Sequence, residues 1–387
     1  MGGFFYFLLV IGLFFQNARI HVVQTVLEGL WMSKHKSTTI VSAVIVSSVL
    51  LSGCGLLGGE KKEQIDPPKT VTYTEDNGTA KVVETAASEN NSEEVAEKGV
   101  MTELYLVDKN GYVVPQTIDL PKTESVAKQA IEYLVQHGPV TEMLPNGFAA
   151  VIPADTAVSV DIKDKVATVN FSKEFKNYQP EDEMKIVQSI TWTLTQFDSI
   201  DKVKLKMNGH ELTEMPVNGL ALSKSGLTRD SGINMDTSEV VDITNTKALT
   251  VYYLGGEEGS YYYVPVTKRI SNDKSDNITA VVEELAKGPT YSSNLLSEFV
   301  SDVSLLDKPV VEDGKVTLNF NESIINGEEE KIVSEHILNT LVLSLTEQKG
   351  IESIAVTVNG KAELVNDKGE KLSEPVTRPE NVNTGSF

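Results

Sequence analysis

The chain says nearly the same thing twice. From Val187 to Gly209 and from Leu338 to Gly360 the residues run in one register without a gap, at an offset of 151. SITWTLTQFDSIDKVKLKMNG (189–209) corresponds to NTLVLSLTEQKGIESIAVTVNG (339–360), with Thr193-Leu194-Thr195 on Ser344-Leu345-Thr346. Upstream, DKVATVNFSKEF (164–175) matches GKVTLNFNESI (314–324), placing Asn170-Phe171 on Asn319-Phe320. AIEYLVQHGP (130–139) matches VVEELAKGP (281–289), and ELYLVDKNGYVVP (103–115) matches VYYLGGEEGSYYYVP (251–265). The tails agree as well: Thr228-Arg229 with a later Asn234, and Thr377-Arg378 with a later Asn383. A period this long, seen twice, is domain duplication rather than a solenoid. The copies occupy residues 100–235 and 246–385, joined by residues near 236–246.

Each copy carries the same local instructions. A hairpin opens it, turning in the first copy at Lys109-Asn110-Gly111, where Asn-Gly supplies positive φ. A helix with Val126, Ala130, Tyr133 and Leu134 on one face follows, and Gly138-Pro139 should stop it, as Gly288-Pro289 should in the second copy. A second hairpin, VSVDIKDKVATVNF, has a counterpart that turns at Asp313-Gly314. The next helix begins after Glu181-Asp182-Glu183, or after Glu328-Glu329-Glu330, carboxylates that suit the positive end of a helix dipole. Met184, Val187, Thr191 and Leu194 recur at helical spacing and are expected to face inward. A last strand ends at Asn208-Gly209, or at Asn359-Gly360. The expected fold is α+β: two tandem ββαββαβ domains, each with its helices on one face of a small sheet.

The N-terminal part reads differently. From Met32 the chain runs MSKHKSTTIVSAVIVSSVLLSGC, a short basic head and an apolar run too brief to span a bilayer but suited to a signal-peptide core. The run ends in Leu51-Ser52-Gly53-Cys54, and Cys54 is the only cysteine of 387 residues. The tetrad resembles the bacterial lipobox, so cleavage is expected after Gly53 and lipid on the Cys54 thiol. This makes residues 32–53 the signal peptide and anchors the chain on the outer, extracytoplasmic face of the cell membrane. Because Met32 opens a complete signal, residues 1–31 are read as an over-called start. Residues 54–99 are rich in Glu, Thr, Asn and Lys, with Tyr73 the one aromatic, and are expected to form a disordered tether.

The helix closed by Gly-Pro, V-x-V-N-F in the fourth strand, T-L-T in the second helix and the strand ending in Asn-Gly together resemble the GerM domain, also written GerMN. Two such copies behind a lipobox and tether are similar to the sporulation and spore-germination lipoproteins of this family. The resemblance implies an exported, membrane-anchored protein without known catalytic residues, serving the envelope between mother cell and forespore where a secretion-like channel is assembled. Its implied partners are protein components of that envelope or channel.

The residues offer little catalytic chemistry. Among mature histidines, His137 and His210 face Lys287 and Lys361 in the other copy, and His336 lies within a helix, so no histidine role is shared. No C-x-x-C, H-E-x-x-H or glycine-rich phosphate loop occurs, and the acidic triplets lack calcium-loop spacing. No cofactor, metal or small-molecule substrate is expected. With 34 Lys and Arg against 55 Asp and Glu, the net charge of −21 argues against nucleic acid as a partner. The repeated Asn-Phe pairs and tail arginines are read as ties at strand ends and domain edges. The densest aromatic group, Tyr252, Tyr253, Tyr261, Tyr262 and Tyr263, is the expected partner face, since alternate residues of a hairpin point opposite ways. The function expected is a non-catalytic assembly factor; the alternative is a cell-wall-acting enzyme or small-ligand-binding lipoprotein.

Overall fold

The computed structural model describes residues 99–238, 244–273, 276–326 and 331–384. The signal, Gly53, Cys54, the tether up to residue 98, part of the linker and the triplet Glu328-Glu329-Glu330 lie outside the described residues. No helix among the described residues is long and apolar enough to cross a membrane.

In the first repeat, strand β1 (Val100–Asp108) pairs antiparallel with β2 (Val113–Leu120), in register from Val100 on Leu120 to Val107 on Val113. The short helix α1 (Val126–Glu132) and strand β3 (Phe148–Ala149) follow, β3 adding to the free edge of β1. Then come β4 (Val158–Lys163), β5 (Val166–Phe171), helix α2 (Glu183–Leu194), β6 (Lys202–Met207) and β7 (His210–Glu211). These strands make a second sheet in the order β4-β5-β6-β7, with β5 and β6 parallel because α2 carries the chain across between them. The second repeat follows the same scheme. Its hairpin is β8 (Thr246–Glu257) with β9 (Ser260–Ser271), followed by α3 (Asn277–Lys287). β10 (Val310–Glu312), β11 (Lys315–Phe320), α4 (Glu335–Thr346), β12 (Ser353–Val358) and β13 (Val376–Thr377) complete it, with sheet order β10-β11-β12-β13 and β11 parallel to β12.

The α+β class and the duplication are as expected, but each repeat has two sheets rather than one. The second helix packs on the opening hairpin and on the four-stranded sheet at once. Sandwiched in this way, α2 buries every residue from Ile186 to Leu194, not a single stripe. Val187, Thr191 and Leu194 face inward as expected, whereas Met184, at the helix start and beyond both sheets, is exposed. Helix α1 also stops early. It ends at Glu132, because Val135 leaves the helix to bridge Ile152 and the Gln136 amide donates to the Ile152 carbonyl at 2.8 Å. Gly138 has an extended conformation there, while Gly288 takes φ +81° and receives the end of α3 as expected. The turns at Asn208-Gly209, Asn359-Gly360 and Asp313-Gly314 all take positive φ at both residues.

Two repeated features have the same structural cause. Asn170 Oδ1 accepts the Gly209 amide at 2.7 Å, and Asn319 Oδ1 accepts the Gly360 amide at 2.8 Å. Each asparagine ties the end of one parallel strand to the turn after its neighbour, while Phe171 and Phe320 are wholly buried beside it.

Candidate functional site

The repeated tails do not merely finish their own domains. Asn234 and Asn383, both at positive φ, act as paired clips between the repeats. Asn234 Oδ1 accepts the Val113 amide at 2.8 Å and its Nδ2 donates to the Val113 and Pro265 carbonyls at 2.7 Å each. Asn383 repeats this in reverse: it accepts the Tyr263 amide at 2.7 Å and donates to the Tyr263 and Pro115 carbonyls at 2.9 and 2.8 Å. Each tail thus holds its own hairpin and that of the other repeat. Beside the clips, Thr117 and Val382 exchange backbone and hydroxyl bonds across the seam, as do Thr267 and Ile233.

Charged residues close the same seam. Arg229 donates from Nη1 to both oxygens of Glu347, at 3.2 and 3.0 Å. Arg378 donates to Glu347 at 3.2 Å and sits 3.8 Å from Glu103. Arg229 also lies 4.4 Å over the Trp192 ring, and Tyr252 Oη donates to Glu347 at 2.9 Å. Burial alone would raise the Glu347 carboxyl, but the two guanidinium groups outweigh it and hold the carboxyl below the usual range. Burial is likewise the main cause that drives the Tyr252 hydroxyl upward, with the Glu347 charge next, so it stays a neutral donor. Sequence reasoning found the arginines through their repetition but not Glu347, whose counterpart at offset 151 is Gln196. That glutamine binds the Glu103 backbone within the first repeat.

The tyrosines expected to form a partner face divide into two groups. Tyr252, Tyr253 and Tyr262 are buried, so they form no exposed surface. Side chains do alternate along β8 and β9, but both faces of this hairpin are covered. Tyr252 packs with Leu343 of α4, and Tyr253 donates to the Glu284 carbonyl of α3 at 3.0 Å. Tyr262 lies over Gly255 and Gly256, where an added Cβ would stand 2.7 and 3.1 Å from its ring, and donates to Asp108 of the first repeat at 2.7 Å. Asp108 also accepts the Asn110 and Tyr112 amides, so this carboxylate both forms the first hairpin turn and holds the second repeat. Only Tyr261 and Tyr263 are partly exposed. Tyr263 Oη lies 3.1 Å from His336 Nδ1 and accepts from Asn339 Nδ2 at 2.9 Å, while the Tyr261 ring meets the His336 ring edge-on at 5.6 Å. Burial pushes the Tyr263 hydroxyl up to about 12. His137 is exposed on a turn, and His210 is exposed at the start of β7.

Glu183, the last of the acidic triplet and the first residue of α2, is buried and binds more than a helix dipole. Its carboxylate accepts the Val217 and Leu220 amides at 3.0 Å each, the Asn218 amide, and the Tyr178 hydroxyl at 2.8 Å. Burial opposes its charge, yet these donors keep the carboxyl low. Among the described residues, no three His, Cys, Asp or Glu side chains group as ligands for a metal ion.

Along the seam a cleft of about 420 Å³ opens between the repeats, with Lys185, Gln188 and Met235 on one wall and Tyr253, Pro289 and Ser293 on the other.

A duplicated α+β unit, clipped to its twin through paired Thr-Arg…Asn tails, makes this a tandem-domain protein. The chain belongs to the Germane family, described as sporulation and spore germination, which matches residues 103–213 and 250–364. The spore germination protein GerM of Bacillus subtilis (strain 168) is 58% identical over 367 residues, spanning 92% of this chain and 100% of that protein. The solved structure of the tandem GerMN domains of the sporulation protein GerM from Bacillus subtilis is 63% identical. It covers 74% of this chain and 100% of that one, with a TM-score of 0.70.

Proposed function

We propose that this protein is a non-catalytic, membrane-anchored lipoprotein of the sporulating envelope, which helps to assemble a channel or envelope complex between mother cell and forespore. Family membership supports the role in sporulation. The LSGC tetrad supports a lipid on Cys54 and residence on the outer face of the membrane. The observation that carries the non-catalytic reading is how the repeated polar residues are used. Arg229, Arg378, Asn234 and Asn383 are all engaged in joining one repeat to the other, the arginines through Glu347 and Glu103. What they produce is a two-domain block that presents its outer surfaces to protein partners.

Cys54→Ala tests the anchor. The variant should leave the membrane pellet, lose metabolic lipid label and lower the yield of heat-resistant spores. Retention in the pellet with unchanged labelling refutes the anchor, and normal spore yield from a released protein refutes the need for it.

A further inference from the structure

The two repeats differ at the place where hairpin, second helix and tail meet. In the second repeat that place is filled by Tyr263, whose hydroxyl sits between His336 and Asn339, with Tyr261 against His336. The clips fix the correspondence, since Asn234 grips Val113 as Asn383 grips Tyr263. Helix register, at the offset of 151, then sets Lys185 under His336 and Gln188 under Asn339, and Gly111 stands for Tyr261. Val113 is buried against Trp192, whereas Gly111, which stands where the second repeat has Tyr261, lines an opening. The opening is the cleft of about 420 Å³ described above.

We propose that this cleft receives a tyrosine side chain presented by a protein partner, a proposal that rests on the adaptor function just stated. The filled site shows which chemistry the place accepts: a phenol whose oxygen takes a carboxamide proton. Gln188 supplies that group in the first repeat. Its Oε1 accepts from the Asn234 amide at 3.3 Å, which leaves Nε2 as the donor equivalent to Asn339 Nδ2. Lys185, paired with Asp182 at 2.9 Å, adds an ammonium group on the same wall, and the exposed Met184 and half-exposed Met235 side chains offer polarisable, adaptable contacts for a ring. The cleft size is within the range of ligand pockets, with room for a ring and the backbone beside it. Its walls come from both repeats, so an occupant continues the interface that already joins them. Aromatic anchors buried in a pocket dominate protein interfaces, and tyrosine is prominent among them.

The test uses the full chain in lipid nanodiscs with N-acetyl-tyrosinamide as the probe, read by saturation transfer to its ring protons. Transfer to the tyrosine amide, weaker transfer to N-acetyl-phenylalaninamide and none to N-acetyl-alaninamide is the expected order. Ser292→Trp, on the exposed rim, should abolish it while thermal unfolding is unchanged. Equal transfer to all three probes, or transfer that survives Ser292→Trp, overturns the site. Tyr73→Ala separates the sources: tightening of probe binding by several-fold would mean that the chain's own tyrosine fills the cleft, overturning assignment to a partner. In cells, loss of sporulation by Ser292→Trp with normal membrane anchoring supports the partner role. Normal sporulation overturns that role and leaves the adaptor reading to the Cys54→Ala result, which does not involve the cleft.

Discussion

Glu347→Gln removes the one negative charge shared by the two tail arginines while nearly preserving side-chain shape. Glu347 is only 9% exposed, so its charge is held by Arg229, Arg378 and Tyr252 rather than by water. Removing one partner of a buried ion pair costs about 3–5 kcal/mol. Two features lower the figure here. The arginine side chains are about a quarter exposed, and each keeps other acceptors: Thr195 and the Trp192 carbonyl for Arg229, and Glu103 for Arg378. The expected loss is therefore about 2–3 kcal/mol, or a fall in Tm of roughly 3–5 °C for a folded unit of this size. The pH dependence has a definite sign. Although burial raises the carboxyl, the arginines hold it below its unfolded value, so its stabilisation is complete above that value, near about 4.3. It disappears as pH falls through the lower folded value. The gap between wild type and Glu347→Gln in thermal unfolding, followed by circular dichroism, should be widest at pH 6–7 and narrow steadily below about pH 4. A gap that is absent at neutral pH, or that stays constant down to pH 3, would refute the reasoning.

Asn234→Ala and Asn383→Ala should destabilise to similar extents, about 2–4 kcal/mol each from lost and orphaned hydrogen bonds, and hydrogen exchange should quicken at Val113 in the first and at Tyr263 in the second. Protection that survives in either variant would show that the clip is incidental. Tyr252→Ser, Tyr253→Ser and Tyr262→Ser should each cost about 3–5 kcal/mol, whereas Tyr261→Ser should shift stability by less than about 1 kcal/mol. Denaturant unfolding of the four variants decides this, and a uniform response would contradict the burial pattern.

Much of the fold was legible because short-range chemistry decides it. Asn208-Gly209, Asn359-Gly360 and Asp313-Gly314 are turns wherever the rest of the chain goes, since few residues tolerate their positive φ. The repeat also drew attention to Arg229, Arg378, Asn234 and Asn383, although what they hold is not written near them. The errors have one source, contacts that are remote in sequence. Helix α1 ends at Glu132 rather than at Gly138 because Ile152 draws Val135 into a bridge. Tyr252, Tyr253 and Tyr262 are buried because α3, α4 and the first repeat cover the hairpin, which no alternation pattern along β8 and β9 reveals. Glu347 was missed because its role depends on breaking the repeat: its counterpart is Gln196. A residue that differs between otherwise matching copies was the signal available.

The clip at Asn383 ties the beginning of the folded chain to its last residues. Hydrogen bonds from Val382 and Asn383 reach Thr117 and Pro115 over 265 and 268 positions. During synthesis β1 and β2 can pair as soon as they emerge, since their contacts are local. The outer edge of that hairpin then waits for nearly the whole of the second repeat before it is covered. Closing so long a loop is slow relative to forming the hairpin itself. The first half is therefore made early and finished last. For that interval its survival depends on the residues of its own tail, with Asn234 already in place on Val113.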